Sequence, residues 1–386
     1  MAGPDGPAGA AQPEGGARRA PAEEREYLNA LFAELCAIPS PSGDEQACAQ
    51  RVSDELTGLG LQVETDDFGN LLARVPGSGA GHPILLCAHL DTVPHGDVPI
   101  EPVLVDEGWE NANRAILGAD NKAAVAVMLA AARRAVAAPL HHGIELLFTL
   151  GEETALLGAK AFDPARLTAP YGYVYDHASP IGEIVVASPT YYKLEAEFHG
   201  KAAHAGIRPE DGRNAIVAAA KAIASIPSGR IDAETTTNVA GISGGRPHTN
   251  VVPDQARFWA EARSLDAQKA HDQIAHMVDR IHDAANDPVC DVDVDVDVEK
   301  LFTGYRHEPG APQVAKAARA LRACGYTPSH ITTGGGSDAN ALEARGFPCT
   351  NLANGTERNH EITERVSVAA LEGMLDVTFA LLEDPT

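Results

Sequence analysis

Five short stretches of this chain carry side chains that could hold and use a metal ion. The first, Ile84-Leu-Leu-Cys-Ala-His89-Leu-Asp91, is an apolar run that ends on a histidine and, two positions later, an aspartate. Residues i and i+2 of an extended strand point the same way, so the Asp91 carboxylate can meet the His89 ring and fix its tautomer for metal binding. Alone, this pattern is more often an ordinary polar strand end, and the other stretches must decide. Asp120 opens a long alanine-rich run, where a helix N-cap is the simpler reading. Gly151-Glu152-Glu153 follows the apolar run Gly143–Leu150, Asp176 follows Tyr171–Tyr175, and His360 lies in a polar loop. His89, Asp120, Glu153, Asp176 and His360 together offer two imidazoles and three carboxylates, the mixed nitrogen and oxygen set that suits zinc or a similar divalent ion. Five ligands exceed what one tetrahedral ion that also keeps a water requires, whereas two ions sharing Asp120 would use them all. Glu152 is then left beside the pair as a free carboxylate able to take a proton from water.

The elements that must aim these groups are legible as periodicity. Residues 1–22 are almost entirely Ala, Gly, Pro and charged side chains, too poor in apolar groups to pack, and read as a disordered tail. From Glu23, Tyr27, Leu28, Leu31, Phe32 and Leu35 recur at helical spacing up to the turn Ile38-Pro-Ser-Pro-Ser-Gly43. Ser42 with Glu45 has the form of a capping box and predicts a second helix to about residue 59. Extended segments follow at Leu61–Thr65 and Asn70–Val75, then the His89 strand, then the helix after Asp120. The three apolar strands with ligand-type endings, each running into His89, Glu152-Glu153 or Asp176, predict an α/β fold: a mixed-sheet catalytic domain flanked by helices.

Beyond Pro189 the pattern changes. Strand Tyr191–His199, helix Asn214–Ile226, strand Gln255–Ser264, helix Ala267–Ala285 and the Val/Asp alternation Cys290–Val298 predict an inserted α+β domain over residues 190–304, interrupting a catalytic domain of residues 23–189 and 305–386. The alternating aspartates could suggest calcium, but a strict period of two puts the acids on one face and the valines on the other, as in an exposed strand whose charge deters edge pairing. The triple glycine Gly334-Gly335-Gly336 lacks the Lys-Ser/Thr of a phosphate-binding loop and the spacing of a dinucleotide fingerprint, so it reads as a tight turn in a substrate wall.

Composition narrows the function classes. With 386 residues and a formal charge of -24, the chain is long enough for two domains and too acidic to favour nucleic acid or anionic membranes. No apolar run approaches a membrane span, the N-terminus lacks a secretory signal, and six scattered cysteines without CxxC spacing read as reduced thiols, so a cytoplasmic protein is expected.

As an ordered set over roughly residues 25–385, these motifs resemble the M20 family of co-catalytic zinc metallopeptidases, in particular its peptidase T-like, tripeptide-aminopeptidase-like branch. The motifs are His89-Leu-Asp91, Gly118-Ala-Asp120-Asn-Lys, Gly151-Glu152-Glu153, Asp176, Gly200-Lys-Ala-Ala-His204-Ala-Gly, Asn250-Val-Val-Pro-Asp, and Gly334-Gly-Gly-Ser-Asp338-Ala-Asn with His360. The resemblance implies that His89, Asp120 and Asp176 bind one ion and Asp120, Glu153 and His360 the other, zinc with cobalt or manganese as substitutes. It implies Asp91 as the group orienting His89, and Glu152 as general base toward a metal-bridging hydroxide. It further implies that residues 190–304 form a lid and dimerisation domain, and that His204 of a homodimer partner stabilises the oxyanion. Asn250, Arg263 and Gly335 then fall at substrate-binding positions. Gly334 stands where tripeptidase-type members carry arginine, so Arg263 either takes over recognition of the substrate or is a structural arginine paired with an acid. The implied activity is metal-dependent exopeptidase cleavage of small peptides from the amino end. A carboxypeptidase or N-acyl-amino-acid deacylase of the same chemistry is the alternative, and a non-catalytic peptide-binding homologue a third reading that the intact ligand set disfavours.

Overall fold

The computed structural model describes residues 18–79 and 81–385, and its contacts divide the chain into two compact units. The first comprises the chain up to Val186 with His307–Thr333 and Ser337 onward, and the second Ala187–Arg306 with Gly334–Gly336. In chain order, α1 (Ala22–Cys36) and α2 (Gln46–Gly58) precede β1 (Val63–Thr65), β2 (Leu71–Val75) and β3 (Ile84–His89). A hairpin of β4 (Pro102–Val105) and β5 (Gly108–Asn111) leads to α3 (Ala119–Ala137), β6 (Ile144–Thr149), α4 (Leu157–Ala161), β7 (Gly172–His177) and β8 (Glu183–Ser188). The second unit follows with β9 (Thr190–His199), α5 (Ala215–Ser225), β10 (Gly229–Arg230), β11 (Thr235–Gly244), β12 (Gln255–Ser264), α6 (Ala267–Ala285), β13 (Asp293–Phe302) and β14 (Tyr305–Arg306). The chain closes with α7 (Pro312–Ala323), β15 (Ser329–Thr332), α8 (Asp338–Ala344), β16 (Cys349–Ala353), β17 (Thr356–Glu357), β18 (Arg365–Ser367) and α9 (Val368–Glu383).

The first unit is the expected α/β layer around a mixed sheet of order β1-β2-β6-β3-β7-β16-β8. Its four central strands β6, β3, β7 and β16 run parallel, while β2 joins β6, and β8 joins β16, in antiparallel pairs. Every residue of Ile84–His89 and of Ile144–Thr149 is buried, which is why these strands are apolar without alternation: helices cover both faces of a parallel sheet. Ile84, Leu86 and Ala88 join the core that includes α3, whereas the Cys87 sulfur lies 3.9 Å from Asp338 Oδ2 at the start of α8. Helix α3 is buried almost all round and rich in alanine, so it fits closely between the sheet and helices α1 and α9.

The second unit has the antiparallel order β10-β11-β12-β9-β13 with α5 and α6 packed on one face. Leu194, Ala196, Phe198, Phe258 and Ala260 from alternate strand positions meet Ala218, Ala222, Ile274, Met277 and Ile281 of the helices. In edge strand β13, Val294 and Val296 pack toward this core while Asp293, Asp295 and Asp297 are exposed, in line with the period of two.

Two local expectations differ from the structure. Of the proposed tail, residues 1–17 lie outside the described residues, but the end of it is held: Arg18 pairs with Glu383 at 2.8 Å, and buried Ala20 donates its N–H to Asp376 at 2.6 Å. Ser42 and Glu45 form no capping box, because helix α2 starts at Gln46 with no side-chain cap and both side chains are used elsewhere, as described below. All six cysteines are buried and unpaired, and among the described residues no helix is long and apolar enough to cross a membrane.

Candidate metal centre

The groups singled out in the first unit sit where its parallel strands end. His89 is the last residue of β3, Glu152 and Glu153 follow β6, and Asp176 is the penultimate residue of β7. Strand ends of a parallel sheet share one edge, so residues far apart in sequence converge without long loops. Asn351 in β16 brackets the Asp176 main chain, accepting its N–H and donating to its carbonyl, both at 2.9 Å.

Asp91 organises one side of the site. It is fully buried, and its carboxylate accepts the Ser42 hydroxyl at 2.7 Å and the N–H groups of Glu152 and Glu153 at 3.0 Å each. The Nδ1 of His89 lies 3.0 Å from the Asp91 carbonyl and 3.3 Å from its carboxylate, leaving Nε2 for the site. Glu45 accepts the neighbouring Gly151 N–H at 3.1 Å. The two residues that resemble a cap in the sequence therefore shape the turn carrying Glu152 and Glu153.

Asp120 lies between the two histidines. One oxygen, Oδ1, is 3.3 Å from His89 Nε2, and the other, Oδ2, is 3.3 Å from His360 Nε2. It is no N-cap: that position is Gly118, whose positive φ of 76° suits glycine, and Asp120 itself has non-helical torsions. His89 Nε2 is also 3.6 Å from Asp176, and His360 Nε2 is 3.0 Å from Glu153. His360 has its backbone in the left-handed region at φ 67°, uncommon for a residue with a side chain.

Charge in this cluster is unbalanced. Burial, then the neighbouring Asp120, pushes Asp176 up to about 8, and burial with Asp176 beside it pushes Glu152 well above the carboxylate range. For Asp120, burial is outweighed by hydrogen bonds from His360 and His89, which hold its carboxyl low. Hydrogen bonds to Asp120 and Glu153 raise His360 to about 10. The two histidines are thus the only cations in direct contact with these carboxylates among the described pairs, and a divalent ion would supply what the cluster lacks. The donor atoms fit one: those of His89, Asp120 and Glu153 lie within 4.8 Å of one another, as do those of His89, Asp176 and Glu152, so the groupings differ from the two expected triads in taking in Glu152 and leaving out His360. Imidazole nitrogen with carboxylate oxygen is zinc-type chemistry that also accepts manganese or cobalt.

The residues expected to contact substrate lie in the second unit. His204 is exposed, bridges to Val251 and accepts the Gly206 N–H at Nδ1, and the Asn250 carbonyl accepts the Ala205 N–H at 2.9 Å, which sets these two segments side by side. Arg263 lies 3.9 Å over the Tyr191 ring, pairs with Glu261 at 3.1 Å and donates to the Gly334 carbonyl at 3.0 Å. The Gly335 carbonyl accepts the Ser188 hydroxyl at 2.8 Å.

Sequence reasoning gave no role to several residues that build the first unit's site, Asp338 among them although it stands in a quoted motif. Asn359 donates to Asp120 Oδ2 at 2.9 Å, and Glu364 accepts the main-chain N–H of Asp120 at 2.8 Å. Asp338, buried behind the strand ends, takes the Thr149 hydroxyl at Oδ2 while its Oδ1 has no hydrogen-bond partner. For Asn359, proximity to His360 was the available signal; Glu364 carries none, being one acid among many in a polar loop.

Residues 190–288 match the model of the M20 peptidase dimerisation domain, and residues 70–175, which include His89, Asp120 and Glu153, match that of peptidase family M28. The uncharacterised protein YqjE of Bacillus subtilis is 36% identical over 362 residues, covering 92% of this chain and 96% of its own. Among solved structures, an aminopeptidase PepT from Bacillus cereus is 39% identical with a TM-score of 0.85, and a tripeptidase from Staphylococcus aureus is 30% identical with a TM-score of 0.88; each comparison covers 93% of this chain and 98% of the other. A strand-edge cluster of histidines and carboxylates, a matched dimerisation domain and similarity along nearly the whole length converge on one conclusion: the chain belongs to the M20 peptidase family, a group of metal-dependent hydrolases.

Proposed function

We propose that the protein is an exopeptidase that hydrolyses the amide bond of small peptides from the free amino end. The observation that carries the reading is Asp120, which presents one carboxylate oxygen to each of two histidines while the Glu152 carboxylate lies within 4.8 Å of the His89 and Asp176 donor atoms. A shared carboxylate with a second one close by is the arrangement that two-ion hydrolysis calls for. Similarity to an aminopeptidase and to a tripeptidase at 39% and 30% identity supports the choice of small peptides and of the amino end.

In this reading His89, Asp120 and Asp176 would hold one ion and Asp120, Glu153 and His360 the other, and the bound ions would lower the pKa of water and polarise the scissile carbonyl. Glu152 takes the proton from water at its carboxylate and returns it to the leaving amine. Asp91 fixes the His89 ring through Nδ1 and, through the amides of Glu152 and Glu153, holds the base and a ligand in one turn. His204 supplies a donor to the oxyanion from a second copy of the chain, and Asn250, Arg263 and Gly335 bind the rest of the substrate.

The second unit serves as lid and dimerisation domain. Beyond its match to the dimerisation model, strand β11 supports this role: β10 covers it only at Thr236 and Thr237, so its remaining length is an open edge among the described residues. The test is hydrolysis of tripeptides with free and N-acetylated amino ends, with zinc, cobalt or manganese supplied and again after chelation. Cleavage that requires both the free amine and the ion is the expected result. Ion-dependent loss of the acetyl group would make the protein a deacylase, and release of the carboxy-terminal residue a carboxypeptidase.

A further inference from the structure

Asp120 can serve two ions only if its carboxylate is held broadside between His89 and His360, yet nothing in its own helix holds it there. Its torsions (φ -81°, ψ 104°) and those of Asn121 (φ -119°, ψ 27°) are non-helical, so the helix ladder does not set its orientation. The main-chain N–H groups around it are instead gathered by one side chain from a distant segment. Glu364, only 2% exposed, accepts Leu117 N–H at 2.9 Å and Gly118 N–H at 2.8 Å on Oε2, and Asp120 N–H at 2.8 Å on Oε1.

Glu364 lies four residues after His360, and the intervening loop is tied by its own turns: the Glu364 N–H donates to the Glu361 carbonyl and the Glu361 N–H to that of Arg358. The same loop carries Asn359, whose Nδ2 donates to Asp120 Oδ2 at 2.9 Å, the oxygen that also faces His360. One loop therefore grips Asp120 at its main chain through Glu364 and at its side chain through Asn359 and His360. We infer that Glu364 is a positioning residue of the metal centre, which references the Asp120 carboxylate to the His360 loop so that the two ion positions form as one unit. The inference rests on the two-ion reading above and deepens it. Three convergent N–H donors need acceptor oxygens on both arms of the side chain. Glutamine would turn one arm into a donor facing an N–H, and aspartate would be too short to reach all three.

Glu364→Gln and Glu364→Asp, each full-length, are titrated with Co2+ against a competing chelator, following the visible absorption of the bound ion and its stoichiometry, and the ion-free proteins are unfolded thermally. The expected result is a Co2+ affinity reduced about 10- to 100-fold in Glu364→Gln, with an altered absorption spectrum, in a chain that still unfolds cooperatively without ions. Glu364→Asp is expected to fall between it and the parent. Parental affinity and spectrum in both variants would overturn the assignment. So would a Glu364→Gln chain that is unfolded without ions while Glu364→Asp binds Co2+ as the parent does, because the residue would then serve stability alone. Parent protein that binds fewer than two ions would defeat the two-ion reading itself, an outcome distinct from variants that match a two-ion parent.

Discussion

The two units use aspartate in opposite ways. In the first, Asp91 is fully buried and accepts hydrogen bonds from Ser42, Glu152 and Glu153, with His89 against it. In the second, Asp293, Asp295 and Asp297 of β13 are exposed, and among the described residues the one that finds an ion-pair partner is Asp295, which meets His199 on the neighbouring strand. The cause lies in the sheets. A parallel sheet covered on both faces leaves its strand ends as the place where polar groups can gather, and burial there makes a carboxylate such as Asp91 draw hydrogen-bond donors from several segments. An antiparallel sheet with helices on one face gives alternate residues to water, so its acids keep charge at the surface and demand nothing of their neighbours. The first arrangement builds a site; the second builds a soluble face and an edge.

Mutations can break this contrast. The largest effect is expected at Glu152, where Glu152→Ala should lower turnover by about 10²- to 10⁴-fold while both ions stay bound, as read by single-turnover kinetics beside metal analysis. Ions lost along with the activity would make Glu152 a ligand rather than a base. Asp91→Ala should destabilise the protein by about 3–5 kcal/mol in urea unfolding, because the buried His89–Asp91 pair is broken, the Glu152 and Glu153 amides and the Ser42 hydroxyl lose their acceptor, and the His89 ring keeps only the main-chain carbonyl. A cost below about 1 kcal/mol would mean that water replaces the carboxylate and that the hub is not structural. At the open edge of the second unit, Ile242→Lys should weaken self-association by about tenfold or more in sedimentation equilibrium and leave ion stoichiometry unchanged. Unchanged association would place the contact between copies elsewhere. Smallest of all, Asp295→Ala, the same substitution as at Asp91, should move the unfolding midpoint by less than about 2 °C. A large shift there would end the contrast between the two sheets.

How much was legible follows the same division. Strand endings at His89, Glu152-Glu153 and Asp176 stood out because an apolar run that stops on an acid or a histidine is a local pattern, and the Val/Asp alternation of β13 is local too. The β4–β5 hairpin between Pro102 and Asn111 escaped notice, since its strands are short and half exposed and carry no strong alternation. Ser42 and Glu45 were misleading for a physical reason: a capping box and a pair of site-building side chains have the same sequence spacing, and the choice between them depends on whether Asp91 and Gly151 stand within reach.

By itself the sequence determined which residues could ligate an ion, which strands would carry them and where the chain changes from one sheet style to another, since residue type and period are properties of neighbours along the chain. Tertiary structure alone decided that Asp120 faces both histidines instead of capping its helix, that Asp91 holds the Glu152–Glu153 turn as well as His89, and that Glu364 gathers the amides before Asp120. Those are contacts between segments up to 247 positions apart, made by hydrogen-bonding groups that must find partners once buried, and no local pattern records which partner the fold will bring.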